Sequence, residues 1–316
     1  MSGVVQHLSF CPIRPRHEWR APFRFANGAR LDEIDRSIVG ELTRQAVGLG
    51  FSGDEVAGLG ACSHWIYAER LCDHAEVADE DAADFAAVSR AVIGLAMAHL
   101  GPGYDDFFGL NWPVFTVHIG GPGRISVRQC ARQYPLYSHP GYVERPYLDR
   151  HLVIADAFLR RLDDLPARLG RSTRFFSRGL GLQIWEARYL MLSIALEGLL
   201  IGPRERFQNT NRGEWTAADR GATVLGLAGP RRDALREQFR RIYNARSGLT
   251  HEGSPRFADR PEAAEATDAL SMDLIFELED VLRRLLSTIV RRDTWYERFS
   301  LPDAEFTRAW RSDPGV

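Results

Sequence analysis

The chain has 316 residues, 45% of them hydrophobic and 26% charged, and a formal net charge of −2. This describes an ordinary globular protein and excludes a disordered, fibrous or uniformly basic chain. No apolar run approaches the roughly eighteen residues of a membrane span, and Met1-Ser2-Gly3-Val4-Val5 lacks the basic start and apolar core of a secretory signal, so a cytoplasmic, non-membrane protein of two domains is expected.

All 40 basic residues are arginine, which fits a genome of high G+C content. Cys11, Cys62, Cys72 and Cys130 show no C-x-x-C spacing and are expected to be reduced and structural. Cys62 and Cys72, and His64 and His74, are each separated by nine residues, a spacing that matches no common zinc site. No metal or cofactor is expected.

Residues 1–145 read as a smaller α+β domain. Val4–Phe10, Ser63–Ala68, Val114–Ile119 and Ile125–Cys130 are short apolar or alternating runs bounded by turn residues, as strands are. Periodic apolar positions predict helices over Leu31–Leu49 and Asp79–Leu100. Gly120-Gly121-Pro122-Gly123 reads as a hairpin loop, because it lacks the lysine and helix start of a phosphate loop. Tyr134–Tyr147, with Pro135, Pro140 and Pro146, reads as an extended connector whose tyrosines suit domain packing or base stacking.

From Leu148 the chain is predicted to be helical, at about 148–168, 182–201, 216–228, 230–250 and 262–293, giving a mainly α protein with a bundle over 146–300. Ile184–Leu200 is apolar on nearly every face and belongs at the centre of that bundle, which makes Glu197 within it unusual. Residues 301–316 form a tail, and its aromatics, with Trp295, Tyr296 and Phe299 before them, are expected to dock on the bundle.

Charge is uneven along this half. Residues 160–246 hold 17 arginines against 9 acidic residues, a net of +8, whereas residues 247–316 hold 9 against 14, a net of −5. The basic excess, including Arg240 and Arg241, suits an RNA backbone or a solvated helix face. Along the helix that follows, Leu235, Phe239, Ile242 and Leu249 share a stripe with Arg246. A guanidinium there requires a carboxylate, a polar cleft, a second subunit or a bound phosphate, and Glu197 is the obvious carboxylate.

Arg246-x4-His251 at the end of this helix resembles the motif of HEPN domains. Tyr243-x-x-Arg246-Ser247 with His251-x-Gly253, preceded by Ala195-Leu196-Glu197-Gly198-Leu199, is similar to the Apea-like branch. The resemblance covers roughly residues 150–300. It implies a HEPN-like helical bundle acting as a homodimer, and a metal-independent endoribonuclease with tRNA as a frequent target class and roles in antiviral defence or as a toxin. An antitoxin or defence-system protein would be its partner, and residues 1–145 a sensor or regulatory domain. It assigns proton transfer to His251 and the scissile phosphate to Arg246, with Ser247, Tyr243, Asn244 and Glu197 in supporting roles. The chemistry fits, since self-cleavage of RNA needs a group of near-neutral pKa and a fixed cation at the phosphorane. Because five helical residues turn about 140°, the helix is expected to fray or end near Thr250–Gly253, with Gly253 suited to a left-handed cap, so that His251 can approach Arg246. The competing expectation is a noncatalytic dimerisation, RNA- or nucleotide-binding module in which Arg246 forms a structural ion pair.

Overall fold

The computed structural model describes residues 4–13, 22–73, 77–98, 113–120, 124–132, 149–161, 164–180, 182, 184–202, 213–252 and 267–312. The chain is mainly α and divides into two compact units, an α+β unit up to Arg160 and a helical unit from Arg161 onward. Among the described residues, no helix is long and apolar enough to cross a membrane.

The first unit is built on strands β1 (Val4–Ile13), β2 (Phe23–Arg24), β3 (Arg30–Glu33), β4 (His64–Asp73), β5 (Pro113–Gly120) and β6 (Arg124–Arg132), ordered β2-β3-β4-β1-β5-β6 with every pair antiparallel. Phe10 lies in register with Tyr67 on β4 and Phe115 on β5, and its ring stacks on Phe115 at 5.5 Å. Gly120 faces Arg124, as the expected hairpin requires. Helix α1 (Arg36–Ala46) starts where the Asp35 side chain accepts the Ser37 amide, and it is followed by α2 (Gly53–Gly60). Leu31, expected at a helix start, instead lies in β3 opposite Ile66, because the Asp35 cap sets the start of the helix.

Helix α3 (Val77–Ala98) packs on β1, β4 and β5, and its buried Asp84 accepts from Arg70 at 2.8 Å beside His7. Helix α4 (Asp149–Leu159) packs on α3 within this same unit. Its Leu152, Ala155, Phe158 and Leu159 are buried, and its Asp156 carboxylate accepts the Ala26 amide at 2.5 Å. The domain boundary expected at 145–146 therefore falls at Arg160, since the apolar face of α4 and its anchoring carboxylate bind it to the sheet unit. The connector Tyr134–Tyr147 lies outside the described residues.

The second unit contains α5 (Ala167–Leu180), α6 (Trp185–Leu200), α7 (Gly213–Leu225), α8 (Pro230–Glu252), α9 (Thr267–Arg291), α10 (Asp293–Ser300) and α11 (Asp303–Ser312). Helix α6 is buried on most sides, as expected of a central helix. Between α7 and α8, Leu227 N donates to Ala222 O and Gly226 N to Thr223 O, a Schellman cap that needs the positive φ of Gly226. Gly229, at φ +52°, then turns the chain into Pro230 at the start of α8. The expected tail is helical in α11, where Phe306 and Trp310 are buried with Trp295 and Phe299 of α10. Docking of these aromatics within the unit matches the sequence reading.

Candidate functional site

Helices α6 and α8 bring together two of the motif residues. Arg246 Nη1 donates to Glu197 Oε1 across the helix pair, with the Arg246 side chain 34% exposed and that of Glu197 6% exposed. Leu235, Phe239, Ile242 and Ala245 bury the core side of α8, so Arg246 stands at the edge of the apolar stripe and keeps contact with solvent. The Glu197 partnership expected from sequence is present. Among the described residues, Nε and Nη2 of Arg246 make no hydrogen bond, so the outer edge of the fork can still donate.

The end of α6 that carries Glu197 is held from outside. Arg220 Nη1 donates to Leu200 O at 2.7 Å, and Arg168 Nη1 reaches Ile201 O at 3.2 Å. Arg168 also pairs with Asp303 and lies over the Phe306 ring at 3.8 Å. Two guanidiniums thus satisfy the terminal carbonyls of α6 and complement the negative end of its dipole. They fix the helix turn from which Glu197 projects.

Tyr189 is a positioning residue that the sequence reading missed. Its buried hydroxyl donates to Ile242 O at 2.6 Å, the carbonyl that in a regular helix also accepts the Arg246 amide. Burial pushes the Tyr189 phenol well above its ordinary pKa, so it remains a neutral donor. Tyr189, Ser193 and Glu197 recur every four residues along α6 and are all buried. That polar row was the available signal, because side chains four apart share a face.

The other expected residues are dispersed around α8. Arg240 pairs with Glu237 on its own helix, and Arg241 pairs at 2.8 Å with Glu277 of α9. Ser247 is exposed, while Tyr243 and Asn244 are half-buried. Helix α8 runs through Glu252, within the range expected for its end, but His251 is still inside the helix, so no fraying turns it toward Arg246. His251 therefore occupies a helix position about 140° from Arg246. Gly253 lies outside the described residues. Helical hydrogen bonding through the last turn, which Thr250 Oγ1 joins by donating to Arg246 O at 2.9 Å, keeps the two positions apart.

A second charged cluster lies deeper. Arg188 Nε donates to Glu279 Oε1 at 2.6 Å and Arg283 Nη2 to Glu279 Oε2 at 3.2 Å, with all three side chains essentially inaccessible. Burial raises the Glu279 pKa and Arg188 opposes that rise. Closed to solvent, this triad ties α6 to α9 and offers no route for a substrate. The Arg246–Glu197 pair is the accessible one.

No family model, curated protein or solved structure matches this chain. The chemistry of the site rests on its own residues.

Proposed function

We propose that the helical unit is a metal-independent endoribonuclease of HEPN type that works as a homodimer. The observation that carries this reading is Arg246, a half-exposed guanidinium held in place by the buried carboxylate of Glu197 and by the turn that Tyr189 fixes. A cation anchored on one edge and open on the other is preorganised for a phosphate, because its ordering is complete before the ligand arrives.

In the proposed reaction the 2′-oxygen of a ribose attacks the adjacent phosphorus while the bond from phosphorus to the 5′-oxygen breaks. The 2′-hydroxyl proton leaves, the 5′-oxygen gains a proton, and the products are a cyclic 2′,3′-phosphate and a 5′-hydroxyl. Arg246 stabilises charge on the phosphorane oxygens, and His251 exchanges a proton with one of the two ribose oxygens. Regular helix through residue 252 separates the two positions within one chain. A second copy of the motif, facing the first, supplies the histidine that the helix geometry withholds and the second proton transfer. tRNA is the proposed target class and bacterial antiviral defence or toxin activity the setting, with an antitoxin or defence-system protein as partner in a cytoplasmic system. The first unit would then serve as sensor or regulator.

The second reading is a noncatalytic dimerisation or binding module, favoured by the same Arg246–Glu197 pair as a purely structural contact. Expression of wild type and His251→Ala in bacteria, with total RNA resolved on a denaturing gel and dimerisation followed by light scattering, separates the two. Discrete cleavage by the folded, dimeric wild type alone is the expected result. Intact RNA with both folded proteins overturns the nuclease reading in favour of the binding module.

A further inference from the structure

A cleft of about 530 Å³ opens between α8 and α9, lined by Leu227, Arg231, Leu235, Gln238, Arg241 and Arg284, with Ala234 and Glu277. Its α8 residues fall at the spacing of one helix face, whereas Arg246 turns away to Glu197 on α6. The cleft is therefore separate from the motif. We propose that it binds a phosphate ester of nucleotide size, with Arg231 and Arg284 at the phosphate.

Charge, shape and size point to the same ligand. Three guanidiniums face one carboxylate in the lining, an excess of two positive charges. Arg241 is engaged with Glu277 at 2.8 Å, but Arg284 lies 3.7 Å from Asp280, too long for a hydrogen bond, and Arg231 has no ion pair among the described residues. Arg231 also sits in the first turn of α8, where the helix dipole adds positive potential. Planar guanidinium forks match phosphate oxygens two at a time.

The remaining lining suits the rest of a nucleotide. Leu235 is buried, and with Leu227 and Ala234 it gives an apolar floor against which a sugar or base loses water. The Gln238 amide and Glu277 carboxylate can meet ribose hydroxyls or a base edge. The volume falls within the usual range of a small-ligand site, roughly 300–1,000 Å³. An acidic peptide would use only the cationic rim and leave the floor unfilled.

The site can receive a free nucleotide or one nucleotide unit of an RNA strand, and it stands whether or not His251 cuts RNA. The test uses the full chain and a fluorescent single-stranded RNA hexamer with 2′-O-methyl groups, which lacks the attacking hydroxyl, so binding is read without cleavage. Fluorescence anisotropy measures its affinity for wild type and for Arg231→Gln/Arg284→Gln, whose helical circular dichroism is recorded alongside. The expected loss is about tenfold per arginine, and the slope of log affinity against log salt falls by about 0.7 for each phosphate contact removed. Competition by AMP and ATP identifies a free-nucleotide site, whereas a hexamer that AMP and ATP fail to displace identifies a strand site. Unchanged binding by the folded double variant, absence of binding by hexamer and nucleotides alike, or equal displacement by polyglutamate overturns the proposal. Hexamer binding that survives Arg246→Ala, together with intact cellular RNA, leaves the cleft standing while the nuclease reading fails.

Discussion

Truncating Arg246 to alanine tests whether Glu197 holds it, and the structure sets the scale. With its side chain 6% exposed, Glu197 would keep a carboxylate in the bundle without its cation. Breaking a fully buried pair by removing one partner costs about 3–5 kcal/mol, whereas an exposed pair contributes about 0–1 kcal/mol. Because 34% of the Arg246 side chain reaches solvent, the expected loss lies between these limits, about 2 kcal/mol, or roughly a 30-fold shift in the folding equilibrium. Glu197→Gln should cost less, about 1 kcal/mol, since the remaining guanidinium can hydrate through its exposed edge. The asymmetry between the two variants is the signature of a carboxylate more deeply buried than its cation. Urea unfolding followed by circular dichroism gives the magnitudes, hydrogen exchange in α6 and α8 assigns them to the helical unit, and a double-mutant cycle isolates the coupling. An Arg246→Ala stability within about 0.5 kcal/mol of wild type, with no coupling to Glu197, would refute the claim that the pair anchors the site.

Two further outcomes follow from groups outside the motif. Glu279→Ala should destabilise the helical unit by about 3–5 kcal/mol by leaving Arg188 and Arg283 buried without their shared carboxylate; urea unfolding checks this, and a change below 1 kcal/mol would mean that water replaces the anion. In the first unit, burial lowers the His64 pKa despite the opposing charges of Glu33 and Asp32. The unfolded chain then binds the proton more readily, so stability is level above about pH 6.5 and falls as pH drops from there toward the lower folded value. NMR titration should place the His64 midpoint below about 6.5, and His64→Gln should remove this contribution to the pH slope; a midpoint at or above the ordinary value would contradict the assigned burial.

Local chemistry alone determined much of this protein. Apolar periodicity gave α3 and α8, turn-bounded runs gave β1, β4, β5 and β6, and the buried carboxylate of Glu197 near the end of α6 pointed correctly to Arg246. Helix α5 escaped the reading because Ser172 and Thr173 occupy buried positions between Leu169 and Phe176, so polar residues interrupt the pattern that marks a core-facing helix. The burial of Ser172 makes sense only once its Oγ is seen to donate to Ala195 O on another helix, at 2.9 Å. Strands β2 and β3 were missed for a similar reason, since so short a pair is defined by its antiparallel neighbour and not by its own residues. The boundary at Arg160, the capping of α6 by Arg168 and Arg220, and the meeting of Arg231, Arg241 and Arg284 in one cleft were decided only by tertiary structure. Each depends on contacts between residues distant in the chain, whereas periodicity and capping express forces that act within a few residues.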